Sequence, residues 1–316
     1  MLLHGILGYP DSREISNLEL ALLLVTLERV NDDQLSFEDG LSPEVPAETA
    51  ISEAVSPDNP VWGLGTGIAL WIVSILLILV TPVFFVLPYS VAMQIDSANL
   101  NDFLHRDKTA LLLQIVAIVP AHVVTLLLAW RIVTKGRRLP FFNSLGWDLG
   151  TFRIWHGILI IVGFFALVAV IGTYFPDQET PFEKILKSSR EATLLLAIIA
   201  TFSAPIVEEI VYRGVLYPAA AKSVGMVPAI SLVTILFVAV HIPQYYNSVA
   251  SLTLLLVLSL ILTIVRASTG RLLPSVVLHF VFNGIQSVFL VLQPYFTQLQ
   301  ESPKDALGLF FGHSAQ

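Results

Sequence analysis

The chain has 316 residues, 55% of them hydrophobic and only 13% charged, with a mean hydropathy of +0.77. A soluble domain carries roughly 25% charged residues, so a wholly water-exposed globule is excluded. With no cysteine, disulfides, iron–sulfur clusters, thiolate zinc sites and cysteine nucleophiles are excluded too. The net charge of −7 is uneven: twelve of the 24 acidic residues but only two of the 17 basic ones fall in residues 1–60. The remainder is slightly basic and shows no basic patch interleaved with aromatics, so no nucleic-acid partner is expected.

Residues 1–60 read as an acidic N-terminal segment and linker. Residues 14–30 suggest a short helix whose apolar stretch, broken by Glu19, is too short to cross a bilayer. Residues 31–60 contain Pro43, Pro46, Pro57 and Pro60 and read as a flexible linker. Deleting residues 1–58 is therefore expected to leave the rest folded. No signal peptide is evident, since a cationic n-region and a cleavable h-region are both missing from the first residues.

Seven apolar stretches follow, each near the length that a bilayer requires. Spans one to three are expected at 62–92, 109–133 and 154–174. Pro82 and Pro88 predict a kink or tilt in the first. Spans four to seven are expected at 192–221, interrupted at Pro205, then 227–246, 249–265 and 272–292. Trp62, Trp130, Trp155 and Tyr174 sit at span ends, as interfacial aromatics do. The fold class is all-α and polytopic. Spans one to three occupy 61–175, spans four to seven 176–295, and a tail 296–316. Lys135, Arg137 and Arg138 lie in the loop after span two, and Arg266 and Arg271 in the loop after span six. These basic loops share one side, assigned to the cytoplasm together with the N-terminus. The loop between spans three and four, residues 180–191, suggests a short amphipathic surface helix.

Ionisable side chains inside a span are costly and usually functional. Span four holds APIVEEIVYRG. Its adjacent carboxylates, Glu208 and Glu209, point about 100° apart on a helix and cannot share one role. Glu209 and Arg213 are spaced i,i+4 in the favourable order for an ion pair. That leaves Glu208 without a local cation, free to act as a general base. Pro205 can open the helix beside them. Span five holds FVAVH, with Phe237 and His241. Span seven holds HFVFN, placing His279 and Asn283 on one face. A carboxylate, two imidazoles and a carboxamide can activate water and stabilise an oxyanion, so hydrolysis needs no side-chain nucleophile. His122 in span two reads as a packing or inter-helix hydrogen-bonding group. Counted along their spans, His241 and His279 differ in depth by roughly 12 Å at ~1.5 Å per residue.

These segments resemble the CPBP family, the CAAX proteases and bacteriocin-processing enzymes also called Abi. The family pattern E-E-x-x-x-R, F-x-x-x-H and H-x-x-x-N stands here as EEIVYR, FVAVH and HFVFN, over roughly residues 180–295. The resemblance implies an intramembrane endopeptidase in which Glu208 and His241 activate water. His279 and Asn283 would polarise the scissile carbonyl or hold its oxyanion. Glu209 and Arg213 would be mainly structural, and Phe237 would pack beside the site. The substrate implied is a membrane-associated protein or peptide, prenylated in the eukaryotic branch. Zinc fits a glutamate and two histidines, and a metal-free glutamate mechanism fits them equally. The alternative within the family is a non-catalytic scaffold or immunity-type binding protein. A proton-coupled transporter is disfavoured, because only span four is both broken and charged.

Overall fold

The computed structural model describes residues 56–175, 180, 182–183, 185 and 189–301, with residues 294–301 as helical backbone alone. The expected helix at 14–30 and most of the acidic segment lie outside the described residues. Among those described there is no strand, and seven helices are long and apolar enough to cross a membrane. Spans one to three are Leu64–Ala92, Lys108–Val133 and Ile154–Tyr174, and spans four to seven are Arg190–Val224, Met226–Tyr245, Val249–Thr269 and Leu273–Gln293. Each lies within a few residues of its expected place. The chain is an integral, multi-pass membrane protein. Leu79, Phe84, Leu159 and Val162 are exposed on spans one and three, a surface that suits lipid and not water.

Span four is the axis of the core. Every residue from Ile210 to Leu216 is buried, and the main apolar cluster surrounds Val207, Ile210, Val211, Val215 and Leu216. This helix is not uniform. It widens to π-helical turns at Ile199–Ser203 and Ile210–Leu216, with an ordinary α-helical turn, Ala204–Glu209, between them. Such bulges mark functional sites more often than plain packing helices. Span one packs closely against the second bulge. A Cβ at Gly67 would meet the Leu216 backbone at 3.2 Å, so glycine permits the approach. The Trp62 indole donates to the Val215 carbonyl at 2.9 Å, and the Trp71 indole to the Tyr212 hydroxyl at 3.0 Å.

The two basic loops meet. Gly146 has φ +69°, and a Cβ there would crowd the Arg271 backbone at 3.1 Å. The Gly146 carbonyl accepts from Leu272 N–H at 2.9 Å, and Arg271 pairs with Asp148 at 3.2 Å. The loops after spans two and six therefore lie on the same side.

Two sequence readings change here. Arg266 is not a loop charge. It lies within span six, fully buried, bonded to the Asp58 carboxylate and the Pro57 carbonyl at 2.7 Å each and stacked over Tyr217. Nor is the last stretch of the linker loose, since Lys222 also donates to the Pro60 carbonyl at 3.0 Å. The pattern of acids and prolines described the composition of the segment but could not show a cation waiting 208 residues away. Deletion through residue 58 is thus expected to destabilise the fold. Asp58→Asn should lower stability in detergent melts by about 1–3 kcal/mol, the cost of leaving a buried charged donor short of its partner. The half-exposed carboxylate holds the effect toward the lower end. An unchanged melt would mean that water replaces Asp58.

Candidate active site

The site is built on the α-helical turn between the two bulges. Glu208 and Glu209 follow one another there and diverge as helical geometry requires. Glu209 is fully buried, whereas the Glu208 side chain is 25% exposed. Glu209 Oε1 accepts from Arg213 Nη1 at 2.9 Å and from His279 Nδ1 at 2.8 Å. Arg213, fully buried, also donates to Thr263 Oγ1 and to the backbone and side-chain oxygens of Ser259 at 2.7–3.1 Å. A buried guanidinium demands this degree of hydrogen bonding, because an unpaired ion in apolar surroundings is prohibitively costly.

Glu209 thus does more than neutralise Arg213. By taking the Nδ1 proton of His279 it fixes the ring and turns Nε2 toward Glu208, whose Oε2 is 3.7 Å away. One imidazole stands between the two carboxylates. Spacing along span four showed the Glu209–Arg213 pair, but the link to His279 spans 70 residues and left no local sign.

His241 is set differently. Its Nδ1 lies 2.7 Å from the Phe237 carbonyl. A carbonyl only accepts, so Nδ1 carries the proton and Nε2 is left with a lone pair. Phe237 resolves the expected difference in depth. One turn before His241, its ring lies 4.7 Å from the His241 ring and 6.0 Å from that of His279, with the Arg213 guanidinium 4.8 Å from its centroid.

Asn283 donates from Nδ2 to the Ala200 carbonyl at 2.8 Å. The reason lies in Pro205. In a π-helical turn the N–H of residue 205 would bond the carbonyl five residues earlier, that of Ala200, but proline has no N–H. The amide of span seven takes that open acceptor. Asn283 keeps a second N–H and its Oδ1.

Glu208, His241, His279 and Asn283 line one cavity of about 440 Å³. His122 lines it too, and its Nδ1 lies 2.7 Å from Ser203 Oγ on span four, the inter-helix hydrogen bond that its place in span two allowed for. Ile118, Phe164, Leu196, Leu254 and Leu258 supply much of the apolar wall. Tyr245, Gln244 and Gln286 line it as well. Of the expected surface helix at 180–191, Phe182, Glu183 and Ile185 are helical, Thr180 and Glu183 cap one another, and Phe182 and Glu183 also line the cavity. The residues do not fit a resident zinc ion. Among the described residues no three His, Asp or Glu side chains are grouped to hold a metal, and Glu209 Oε1 is already committed twice.

Residues 190–285 match the family model described as type II CAAX prenyl endopeptidase Rce1-like. The matched segment begins with span four, ends just past Asn283 and contains all three motifs, in agreement with the resemblance drawn from them. Spans one to three, and His122 with them, lie outside it. No curated protein and no solved structure matches the chain.

The two glutamates should separate in experiment. Glu209→Gln strands Arg213 and releases His279, so it should lower folded yield and cost ~3–5 kcal/mol, as for a broken buried pair. Glu208→Gln should melt close to the parent. Purified yields and thermal melts of both variants decide it, and the opposite order would reverse their roles.

Proposed function

With residues 190–285 an Rce1-like domain, we propose that this protein is an intramembrane endopeptidase that hydrolyses a peptide bond with a water activated by Glu208 and His241. The observation that carries this reading is the bridging His279, held at Nδ1 by Glu209 and turned at Nε2 toward Glu208, in one cavity with His241 and Asn283. A purely structural histidine has no need of a second carboxylate across an open cavity.

The chemistry follows from the donors and acceptors. A water between Glu208 and the bare Nε2 of His241 gives up a proton as its oxygen adds to the scissile carbonyl carbon. The carbonyl oxygen becomes an oxyanion, stabilised by His279 at its Nε2 edge and by the free Nδ2–H of Asn283. The tetrahedral intermediate collapses, the C–N bond breaks, and the proton taken from water passes to the departing amine. The products are a carboxylic acid and an amine, and no covalent enzyme adduct forms.

The substrate is a membrane-associated peptide, and the apolar wall supports one carrying a prenyl chain. A cavity within the usual ligand-site range, roughly 300–1,000 Å³, accepts a lipid chain beside an extended peptide. Orientation follows from the loops. With the joined basic loops in the cytoplasm, the cavity runs toward the opposite ends of the spans, where Gln244 and Tyr245 lie. The cysteine-free chain permits a direct test. A cysteine at Gln244 should react with an impermeant reagent from outside, and one at Arg137 only after permeabilisation. The reverse labelling would invert the topology.

Purified protein should cleave a prenylated peptide faster than its unprenylated form, and Glu208→Gln should abolish cleavage of both. His279→Ala should lower kcat by ~10²–10³-fold with little change in KM, as loss of an oxyanion donor does, and Asn283→Ala should do so less severely. Chelation should leave the rate unchanged. Loss confined to KM would remove the oxyanion role, and zinc-restorable loss on chelation would remove the metal-free mechanism.

A further inference from the structure

The cavity carries a second carboxylate that the mechanism does not use. Thr180 Oγ1 accepts from the Glu183 N–H at 3.2 Å, and Glu183 Oε2 accepts from the Thr180 N–H at 3.0 Å. This reciprocal pair is a capping box, and it holds the carboxylate in one place. The turn is anchored as well. Phe182 and Ile185 pack against the cluster of Ile115, Leu196 and Ile199, and the Phe182 ring lies 5.7 Å from that of Tyr245. Glu183 is thus set near the outer end of span five and lines the same cavity as Glu208 and His241.

Capping alone does not account for a charge here. A capping box takes glutamine as well as glutamate, and this one occupies only Oε2. Among the described residues Glu183 has no ion-pair partner, and no lysine or arginine lines the cavity. Two carboxylates therefore face a space with no fixed cation on its described walls. Beside apolar side chains such charges are screened less than in water, so a cation entering the cavity gains and an anion pays. Position follows from span five. Tyr245 lies one helical turn past His241, ~5.4 Å along the axis, and an extended peptide covers ~3.3–3.6 Å per residue. A peptide bond held at His241 brings the second residue from the cut to the level of Tyr245 and its neighbour Phe182. A lipid chain takes the other direction, onto the apolar wall of Phe164 and Leu258 near mid-span.

We propose that Glu183 is a specificity-determining residue, selecting lipid-bearing peptides with a lysine or arginine about two residues from the scissile bond, on the side away from the lipid. The proposal rests on the endopeptidase reading for its effect on cleavage, but not for its effect on binding. It assigns the substrate a charge as well as a lipid. Glu183 lies outside the segment that matches the family model, so the selection belongs to this chain's own loop before span four.

The test uses the full chain in phosphatidylcholine nanodiscs, whose neutral surface does not itself concentrate cationic peptides. Prenylated peptides with both ends blocked carry lysine, norleucine or glutamate at one position, walked outward from the lipidated residue in either direction. Binding is read by fluorescence anisotropy and cleavage as kcat/KM, with the cut located by mass spectrometry. At the best position lysine should exceed norleucine by about 3–10-fold in both readouts, the scale of a partly desolvated ion pair, and glutamate should fall below norleucine. Glu183→Gln keeps the cap and removes the charge, so it should erase the lysine preference without loss of folding. Glu183→Lys should reverse it in favour of glutamate. A lysine preference that survives Glu183→Gln, or cleavage without any charge preference in the unaltered protein, overturns the proposal. A preference in binding that follows Glu183, in a protein that cleaves none of the peptides, upholds the contact and removes the protease reading instead.

Discussion

A guanidinium with no access to water organises this site. Arg213 is fully buried in span four, and its burial is tolerable only because Glu209, Ser259 and Thr263 surround it. Those partners tie span four to span six. The carboxylate that neutralises Arg213 also fixes His279 of span seven, and the ring beneath the guanidinium is Phe237 of span five. One buried charge therefore sets the relative placement of four helices. The residues proposed for catalysis hang from that arrangement: His279 through Glu209, His241 through the Phe237 carbonyl, and Glu208 as the next residue along the same turn.

The second constraint is backbone geometry in span four. A regular helix through this segment would present Glu208 and Glu209 without exposing backbone acceptors beside them. Two π-helical turns change that. The Ala200 carbonyl, denied an N–H by Pro205, is taken by Asn283, and the Val215 carbonyl accepts from Trp62. Each bulge becomes a docking point for another helix. The first also carries Ser203 to His122. Hydrogen-bond demand inside a bilayer is strict, since water is not there to meet it. That demand turns an irregular helix into a specific assembly.

Much of this was legible in the sequence, for reasons that differ by residue. The spans were visible because bilayer thickness imposes one length and one composition on all of them. The Glu209–Arg213 pair was visible because both partners sit on one helix at i,i+4, and Pro205 announced an opening in that helix. The convergence of the EEIVYR, FVAVH and HFVFN segments was implied by resemblance to a family, and a family model covers the same stretch. What was hidden is long-range. Nothing near Glu209 points to His279, and nothing near Arg266 points to Asp58. His122 read as a packing or inter-helix hydrogen-bonding group, but its partner, Ser203, is an ordinary serine in an apolar stretch and could not be named. Side-chain pairs between helices have no sequence period, so only the packed helices disclose them.

The central claim is that water, and not a side chain, attacks the scissile bond in this cavity. Single-turnover cleavage of a prenylated peptide in ¹⁸O-labelled water, quenched in acid and read by mass spectrometry, tests it directly. The account predicts one ¹⁸O atom in the newly formed carboxylate, no covalent peptide–protein adduct at any quench time, and no product with Glu208→Gln. An acyl adduct that forms and decays at the rate of cleavage would contradict it.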